Sequence, residues 1–321
     1  MSEQFDVVAL GELLIDFTEN GKSNQGNLLF EANPGGAPCN VLAMLQRLGR
    51  RTAFIGKVGN DMFGELLADA VREQGICTDN LIKDSEIPTT LAFVHNAEDG
   101  DRSFSFYRNP GADMMLRVED INPEMVSSTK VFHFGTLSMT DTYVAETTKT
   151  AVDWAKKYGK LISFDPNYRP LLWRSEDEAK KAMWYGIENC DILKISDDEI
   201  AFLTGESDID KGVKLIAKRS GARFIFATLG RSGSKAYYDG KVVFGHPFIQ
   251  ADTIETTGAG DTFMACVIDK VLKYGMDNLT EEQLLDMLLT ANAAAAIITT
   301  RKGALRVMPT QEEINKLLGR V

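Results

Sequence analysis

Short apolar segments alternate with amphipathic segments along most of the chain, and this alternation limits the folds that the chain can adopt. The apolar segments are rich in Val, Ile, Phe and Leu, and they occupy residues 5–10, 52–58, 131–134, 161–164, 192–195 and 224–228. The amphipathic segments repeat their apolar residues at helical spacing, at residues 37–48, 63–74, 143–158, 176–188, 210–218, 258–274 and 281–299. Strands that are apolar at nearly every position are typical of parallel sheets buried on both faces. The pattern therefore predicts an α/β fold with three layers, in which helices cover both faces of a parallel sheet.

Two stretches interrupt this alternation. Residues 13–31 and 88–111 contain β-like segments without a crossover helix, and the second stretch includes the turn Glu98-Asp99-Gly100-Asp101. We expect the two stretches to pair as a small separate sheet that projects from the main unit as a lid. No linker rich in Pro, Gly or Ser divides the 321 residues. We therefore expect residues 1–321 to form a single domain with the lid inserted in it.

The charge of the chain disfavours some partners. Asp and Glu total 46 against 35 Lys and Arg, which gives a net charge of −11. This charge repels phosphodiester backbones, so we expect no nucleic-acid partner. The N-terminal apolar stretch has no basic segment before it and contains Glu12 and Asp16, so it predicts neither a signal peptide nor a membrane segment.

The cysteines and histidines give no indication of a metal site. The four cysteines lie far apart without a CxxC pair, and the three histidines form no motif with ligand spacing. We expect reduced thiols and a cytoplasmic location.

The segment ETTGAGDTF at residues 255–263 carries the strongest indication of chemistry. Its small residues Gly258, Ala259 and Gly260 leave backbone amides uncovered at the start of a helix, and such amides bind anions together with the helix dipole. Asp261 follows them. From the residues alone, two interpretations of Asp261 remain open. It is either a carboxylate that stabilises a helix terminus or a general base beside a phosphate-sized anion hole.

Other nucleotide-binding motifs fit poorly. The chain contains no GxxxxGK[ST] motif and lacks the glycine-rich loop, HRD and DFG segments of protein kinases. Gly258 and Gly260 could begin a dinucleotide fingerprint, but Phe263 stands at its third glycine position.

A second glycine-containing segment, NPGGAPCN at residues 33–40, precedes a predicted helix. Gly35 and Gly36 allow the backbone to approach a ligand closely, and the Asn40 amide offers donors and an acceptor. An ordinary loop that leads into a helix, with Pro38 in the first turn, explains the same residues.

With these two segments in this order, the chain resembles the ribokinase/PfkB family of carbohydrate kinases over nearly its whole length. The segments FSFYRNPGAD (104–113) and DPNYRP (165–170) resemble the fructokinase branch. The resemblance implies a Rossmann-like (ribokinase-like) domain with a β lid over the sugar, and ATP-dependent phosphorylation of a sugar hydroxyl with Mg²⁺. Kinases of 2-keto-3-deoxygluconate, ribose or nucleosides, a non-catalytic sugar-binding regulator and, more remotely, a nicotinamide oxidoreductase are the alternatives.

The resemblance also implies roles for individual residues. It makes Asp261 the catalytic base and the amides of Gly258, Ala259 and Gly260 the anion hole. The implied sugar-binding residues are Asp16, Gly35, Gly36, Asn40, Phe93, Phe106, Arg108 and Arg169. The implied nucleotide-binding residues are Lys194, Glu199, Thr228, Gly230, Gly233, Gly260 and Asn292. Purely structural roles stay open for some of these residues: the arginines could form ion pairs, the phenylalanines could fill the lid's apolar face, and Asn292 could be a polar residue of an Ala-rich helix.

Two positions depart from the family pattern. Ser196 stands where the family usually has Asn, and Glu255 stands where it most often has Asp. The resemblance implies that Glu199 organises Mg²⁺ through water, although a capping box with Ser196 explains Glu199 equally well. The resemblance also assigns Glu255 and Thr257 to a monovalent-cation site that backbone near residues 301–303 completes, and the longer Glu side chain leaves the need for K⁺ open. The exposed lid sheet also offers a surface for a homodimer.

Overall fold

The elements of the fold follow the predicted alternation. The computed structural model describes residues 4–96 and 102–320, and the turn expected at residues 98–101 lies outside these ranges. The described strands are β1 (Phe5–Leu10), β2 (Leu14–Lys22), β3 (Leu28–Gly35), β4 (Thr52–Gly59), β5 (Cys77–Asp84), β6 (Leu91–Asn96), β7 (Arg102–Tyr107), β8 (Thr129–Gly135), β9 (Leu161–Asp165), β10 (Ile192–Ser196), β11 (Phe224–Thr228), β12 (Ser234–Tyr238) and β13 (Lys241–Gly245). The described helices are α1 (Ala37–Arg47), α2 (Met62–Glu73), α3 (Pro123–Ser127), α4 (Thr142–Lys157), α5 (Glu176–Asn189), α6 (Asp197–Thr204), α7 (Ile209–Ala217), α8 (Ala259–Tyr274), α9 (Glu281–Ile298) and α10 (Gln311–Leu317).

Nine of the described strands form a large sheet with the order β13-β12-β11-β10-β9-β8-β1-β4-β5. All neighbours from β11 to β5 pair in parallel. Two apolar clusters lie on the two faces of this sheet: one includes residues of α1, α2, α8 and α9, and the other residues of α3, α4, α5 and α7. The predicted three-layer α/β/α architecture is therefore confirmed.

The expectation of an entirely parallel sheet is wrong at one edge of the large sheet. Strand β12 pairs antiparallel with both β11 and β13, so the sheet is mixed. The hairpin between β12 and β13 turns at Asp239 and Gly240, whose φ angles are 47° and 73°. Two consecutive positive φ angles at Asp-Gly are typical of a type I′ hairpin, and this dipeptide was the sequence signal for the missed strands.

The other four described strands form a small sheet with the order β3-β2-β6-β7. It contains two antiparallel hairpins, β2–β3 and β6–β7, joined by parallel pairing of β2 with β6. On one face, the Phe93 ring stacks on Phe17 at a centroid distance of 4.9 Å and touches Phe30 and Tyr107 edge-on. The other face carries Asp16.

The topology brings several polar residues to one edge of the large sheet. Strands β1, β8, β9, β10 and β11 are consecutive and parallel, so their carboxyl ends meet at that edge. Asp165, Ser196 and Thr228 are the last residues of β9, β10 and β11, and Glu12 follows β1 closely. Ligands of α/β sheets bind at this kind of edge.

Candidate active site

A cavity of about 810 Å³ lies where this edge meets the small sheet. Its volume is typical of a small-molecule site, which is roughly 300–1,000 Å³. Most of the predicted site residues line it: Asp16, Gly35, Gly36, Asn40, Phe106, Arg169, Lys194, Glu199, Thr228, Gly230, Gly233, Glu255, Thr257, Gly258, Ala259, Gly260, Asp261 and Asn292. Phe93 and Arg108 do not belong to its lining.

The start of α8 forms part of the cavity wall. The helix begins at Ala259, after Gly258 with a φ angle of 77°. A Cβ atom at position 258 would lie 2.7 Å from Ala304 Cβ, so both the backbone conformation and the space require glycine there. Asp261 consequently lies in the first turn of α8.

The amides at the start of α8 are not equivalent. The Ala259 N–H donates to the Thr256 carbonyl oxygen at 3.2 Å, so it already has a partner within the protein. Within residues 4–96 and 102–320, the amides of Gly258, Gly260 and Asp261 donate to no partner. A Cβ atom on Gly260 would lie 3.0 Å from Lys194 Nζ. A buried ammonium group therefore lies beside these amides, and together they can bind an anion.

The Asp261 side chain is 7% exposed and accepts a hydrogen bond from Asn40 Nδ2 at 2.8 Å. Burial is the main cause that raises the pKa of its carboxyl group to about 6. The nearby Asp165 acts on this pKa in the same direction, while Asn40, Lys194 and Arg169 oppose the rise. At neutral pH the carboxylate is ionised, yet its pKa is close enough to the ambient pH for efficient proton transfer.

Within the part of the chain that the structure describes, the side-chain oxygen of Asn40 lacks a partner that a ligand could supply. Asn40 is 4% exposed, and its Oδ1 atom has no hydrogen-bond partner among the described residues. A buried acceptor without a partner costs about 1–3 kcal/mol. Because Asn40 lines the cavity, a ligand hydroxyl could supply the missing donor.

Lys194 forms a buried ion pair with Asp165. Its Nζ atom lies 3.1 and 3.0 Å from the two Asp165 carboxylate oxygens. Burial alone would lower the pKa of Lys194, but Asp165 and Glu199 outweigh it and the pKa is raised. Asp165 is a site residue that the sequence patterns did not single out. The signal for it was an acidic residue directly after the buried segment 161–164, at the carboxyl end of a predicted strand.

Glu199 and Asn292 line the cavity and also hold the fold together. The Glu199 carboxylate accepts hydrogen bonds from the backbone N–H groups of Tyr168 and Ser196, each at 2.8 Å, and the second completes a capping box at α6. Asn292 Nδ2 donates to the carbonyl oxygens of Gly245 and His246. Both side chains therefore have structural partners that explain their burial.

Two predicted sugar-binding residues, Phe93 and Arg108, do not line the cavity. Phe93 packs against Phe17 on the face of the small sheet that is opposite to Asp16. Arg108 is buried in an ion pair with Asp113, with an Nη2–Oδ2 distance of 2.6 Å. Its Nη1 and Nη2 atoms also donate to Thr140 Oγ1 and the Leu137 carbonyl oxygen. These partners occupy the Arg108 guanidinium, although one of them, Leu137, itself lines the cavity.

The loops predicted to hold a monovalent cation lie next to each other. Glu255 Oε1 accepts a hydrogen bond from the Gly303 N–H at 2.8 Å. No group of three or more His, Cys, Asp or Glu side chains in the described ranges could hold a metal ion by itself. In the same ranges, no helix is both long and apolar enough to cross a membrane.

Comparison with known proteins settles the family. The profile of the pfkB family carbohydrate kinase matches residues 4–311. The chain belongs to this family. Fructokinase-1 of Zea mays is 38% identical over 321 residues, with 97% of each chain covered. As a PfkB kinase, the chain is a phosphotransferase whose acceptor is a sugar hydroxyl, which confirms the activity class that the sequence predicts.

Solved structures confirm the ribokinase-like α/β fold of this PfkB kinase. Fructokinase with bound ATP from Xylella fastidiosa matches with a TM-score of 0.88 and 30% identity, and 98% of each chain is covered. A double mutant of fructokinase from Vibrio cholerae O395, in its fructose, ADP and potassium ion bound form, matches with a TM-score of 0.87 and 28% identity. The match covers 99% of this chain and 100% of that chain.

Proposed function

We propose that this PfkB kinase transfers the γ-phosphoryl group of ATP to a hydroxyl group of fructose. The observation that carries the proposal is the buried Asp261 carboxylate beside the open amides of α8 and the Lys194 ammonium, all in one cavity. The fructokinases of Zea mays and Xylella fastidiosa, to which the chain is similar over nearly its whole length, support the choice of fructose.

In this proposal the ionised Asp261 is the general base. It accepts the proton of the fructose hydroxyl while the hydroxyl oxygen forms a bond to the γ-phosphorus atom. The bond between the γ-phosphorus and its bridging oxygen breaks, and ADP leaves with that electron pair. The amides of Gly258 and Gly260, together with Lys194, stabilise the charge that the transferring group carries.

The sugar would be held by polar groups on three sides of the cavity. Asp16 and Asn40 Oδ1 accept hydrogen bonds from sugar hydroxyls, and Arg169 donates. Burial raises the pKa of Asp16 to about 7, and the Arg169 charge opposes this rise. Arg108 is paired with Asp113, but Arg169 in the cavity lining could bind the carboxylate of an acidic sugar, so the preference for fructose over 2-keto-3-deoxygluconate rests on the fructokinase relatives.

For the nucleotide, we propose that Thr228, Gly230 and Gly233 line the ATP side of the cavity and that Glu199 holds Mg²⁺ through water. The Glu199 side chain fits this role because each carboxylate oxygen has one backbone partner and retains a lone pair. Mg²⁺ neutralises phosphate charge when it is bound. Glu255 and Thr257 are the proposed K⁺ residues, and the potassium ion in the Vibrio cholerae structure supports them.

We further propose that residues 1–321 form one domain and that residues 13–31 and 88–111 act as a lid that excludes water from the reaction. The exposed rings of Phe30 and Tyr107, on the side of the small sheet opposite to Asp16, support pairing with a second copy of the chain. A cytoplasmic location completes the proposal.

A coupled assay of ADP release tests the substrate. Fructose, ribose, a nucleoside and 2-keto-3-deoxygluconate would be compared at equal ATP and Mg²⁺, with Asp261→Asn as the control for background ATP hydrolysis. We expect kcat/KM for fructose to exceed that for the acidic sugar by about 10²-fold or more, since the carboxylate of the acidic sugar would enter a cavity that the carboxyl groups of Asp16 and Asp261 also line. A higher kcat/KM for another sugar would reassign the substrate, and no ADP release with any sugar would favour a sugar-binding regulator.

A further inference from the structure

The start of α1 receives its cap from a different segment. Gly36, the N-cap residue, offers no side chain, and Pro38 has no N–H group. The Ala37 N–H instead donates to Glu12 Oε1 at 2.8 Å. Glu12 is 3% exposed and lies shortly after β1. A buried carboxylate thus fixes the amino end of a helix that lies about 25 residues further along the chain.

Close backbone contacts join the Glu12 segment to α1. Gly36 has a φ angle of 135°, and a Cβ atom on it would lie 2.4 Å from the Glu12 carbonyl oxygen. A Cβ atom on Gly11 would lie 2.5 Å from Pro38 Cγ. Both glycines are therefore needed for the close packing of the Glu12 segment against the start of α1.

The first turn of α1 carries the side chain that holds the proposed base. The Asn40 N–H donates to the Gly36 carbonyl oxygen at 3.0 Å, and Asn40 Nδ2 donates to Asp261 Oδ2 at 2.8 Å. Hydrogen bonds thus join Glu12 to Ala37, and they join Gly36, the residue before Ala37, through Asn40 to Asp261. Glu12 and Asp261 also line a common small cavity of about 10 Å³, which is room for about one water molecule.

We propose that Glu12 is a positioning residue for phosphoryl transfer, because it sets the placement of Asn40 and thereby that of Asp261. This inference rests on the proposed function of Asp261. The charged and titratable groups around Glu12 are Cys39, Arg108, Asp113, His133, Asp165 and Asp261. Because either protonation state of a carboxyl group has an oxygen that accepts from the Ala37 N–H, the role depends on the hydrogen bond and not on the charge of Glu12.

A double-mutant cycle tests whether Glu12 acts on Asp261 through Asn40. The variants are Glu12→Ala, Asn40→Ala and the double variant, with Glu12→Gln as the conservative substitution. We expect Glu12→Ala to lower kcat by about 10–100-fold, because small displacements of a catalytic group have effects of this size. Glu12→Gln should stay within about threefold of the wild type, since its amide oxygen still accepts from Ala37. The double variant should equal Asn40→Ala alone, because residues that act through one another are not additive.

The pH profile separates positioning from a loss of folding. Asn40 lowers the pKa of Asp261, so displacing it should move the acid limb of kcat/KM to higher pH in both single Ala variants. Asp208→Ala is the matched control. Asp208 also caps a helix, because it accepts a hydrogen bond from the Lys211 N–H at the start of α7, but it does not line the cavity. This substitution should lower Tm without moving the acid limb.

The outcomes distinguish this inference from the proposed function. If the wild type transfers no phosphate to fructose, the proposed function fails. If the wild type is active but the Glu12→Ala and Asn40→Ala losses are additive, or if Glu12→Gln loses as much as Glu12→Ala, the positioning role is overturned. If Glu12→Ala does not fold, Glu12→Asp, whose reach is shorter, takes its place. A crystal structure of the folded variant should show Asn40 Nδ2 beyond roughly 3.5 Å from Asp261 Oδ2, and an unchanged distance would also overturn the inference.

Discussion

Replacing Asp261 with Asn should make the folded protein more stable at pH 8. The Asp261 carboxyl is buried, and burial raises its pKa from the ordinary value of 3.8 to about 6. In the unfolded chain the same group titrates near its ordinary value. The ionised form is therefore less favourable in the folded state than in the unfolded state. Asn is neutral and of nearly the same shape, and its side-chain oxygen can still accept the hydrogen bond from Asn40.

The size of the effect follows from the shift in pKa. About two pKa units correspond to about 3 kcal/mol of unfolding free energy, at 1.36 kcal/mol per unit. As the pH rises, the unfolded wild type loses this proton near pH 4 and the folded wild type near pH 6. The wild type therefore loses stability across this range, and the Asn variant does not. The shift already includes the attraction to Lys194, so about 3 kcal/mol is the upper value, and we expect a net gain of about 1–3 kcal/mol at pH 8.

Thermal and urea unfolding of the two proteins at pH 4.5, 6 and 8, followed by tryptophan fluorescence, measures this difference. The variant should unfold at a Tm a few degrees higher than the wild type at pH 8, and the difference should shrink towards zero at pH 4.5. A variant that is less stable than the wild type at pH 8, or a difference that does not change with pH, would refute the reasoning.

Three further predictions concern the walls of the cavity. The KM for fructose should rise as the pH falls from 8 to 6, because burial raises the pKa of Asp16 to about 7 and protonation removes an acceptor site; a constant KM in initial-rate measurements would contradict this. Arg169→Ala should move the acid limb of kcat/KM to higher pH, because the Arg169 charge lowers the pKa of both Asp16 and Asp261, whereas an unmoved limb would show that Arg169 has no such influence. Lys194→Met should raise the KM for ATP and lower the unfolding free energy by about 3–5 kcal/mol, because Asp165 remains buried without its partner; urea unfolding that matches the wild type would disprove this role.

The sequence predicted the fold because buried parallel strands and amphipathic helices leave a regular pattern. Strand β5 was not predicted because its sequence, CTDNLIKD, is largely polar, which is typical of an edge strand. The β12–β13 hairpin was not predicted because the alternation of apolar strands with amphipathic helices stops there. The Asp239-Gly240 dipeptide carried the information, but only as a local turn signal.

The residues that the sequence singled out in the segments 33–40 and 255–263 line the cavity. The position of Phe93, in contrast, depends on the register of its strand and was not predicted. Phe93 pairs with Ser105 across β6 and β7, so Phe93 and Phe106 must lie on opposite faces of the small sheet. The face on which each phenylalanine lies cannot be predicted until the strand register is known, because a shift of one residue exchanges the two faces of the sheet. The pairing of Arg108 with Asp113 and the contact of Glu12 with Ala37 likewise depend on tertiary structure.

The central claim is that Asp261 removes a proton from the sugar hydroxyl. The most direct test is kcat for Asp261→Asn with fructose and saturating ATP, measured by ADP release, together with the ATP dissociation constant of the same variant. We predict that kcat falls by about 10²–10⁴-fold while ATP binding changes little, because a general base acts on the chemical step. A kcat close to that of the wild type, in a variant that binds ATP normally, would contradict the account.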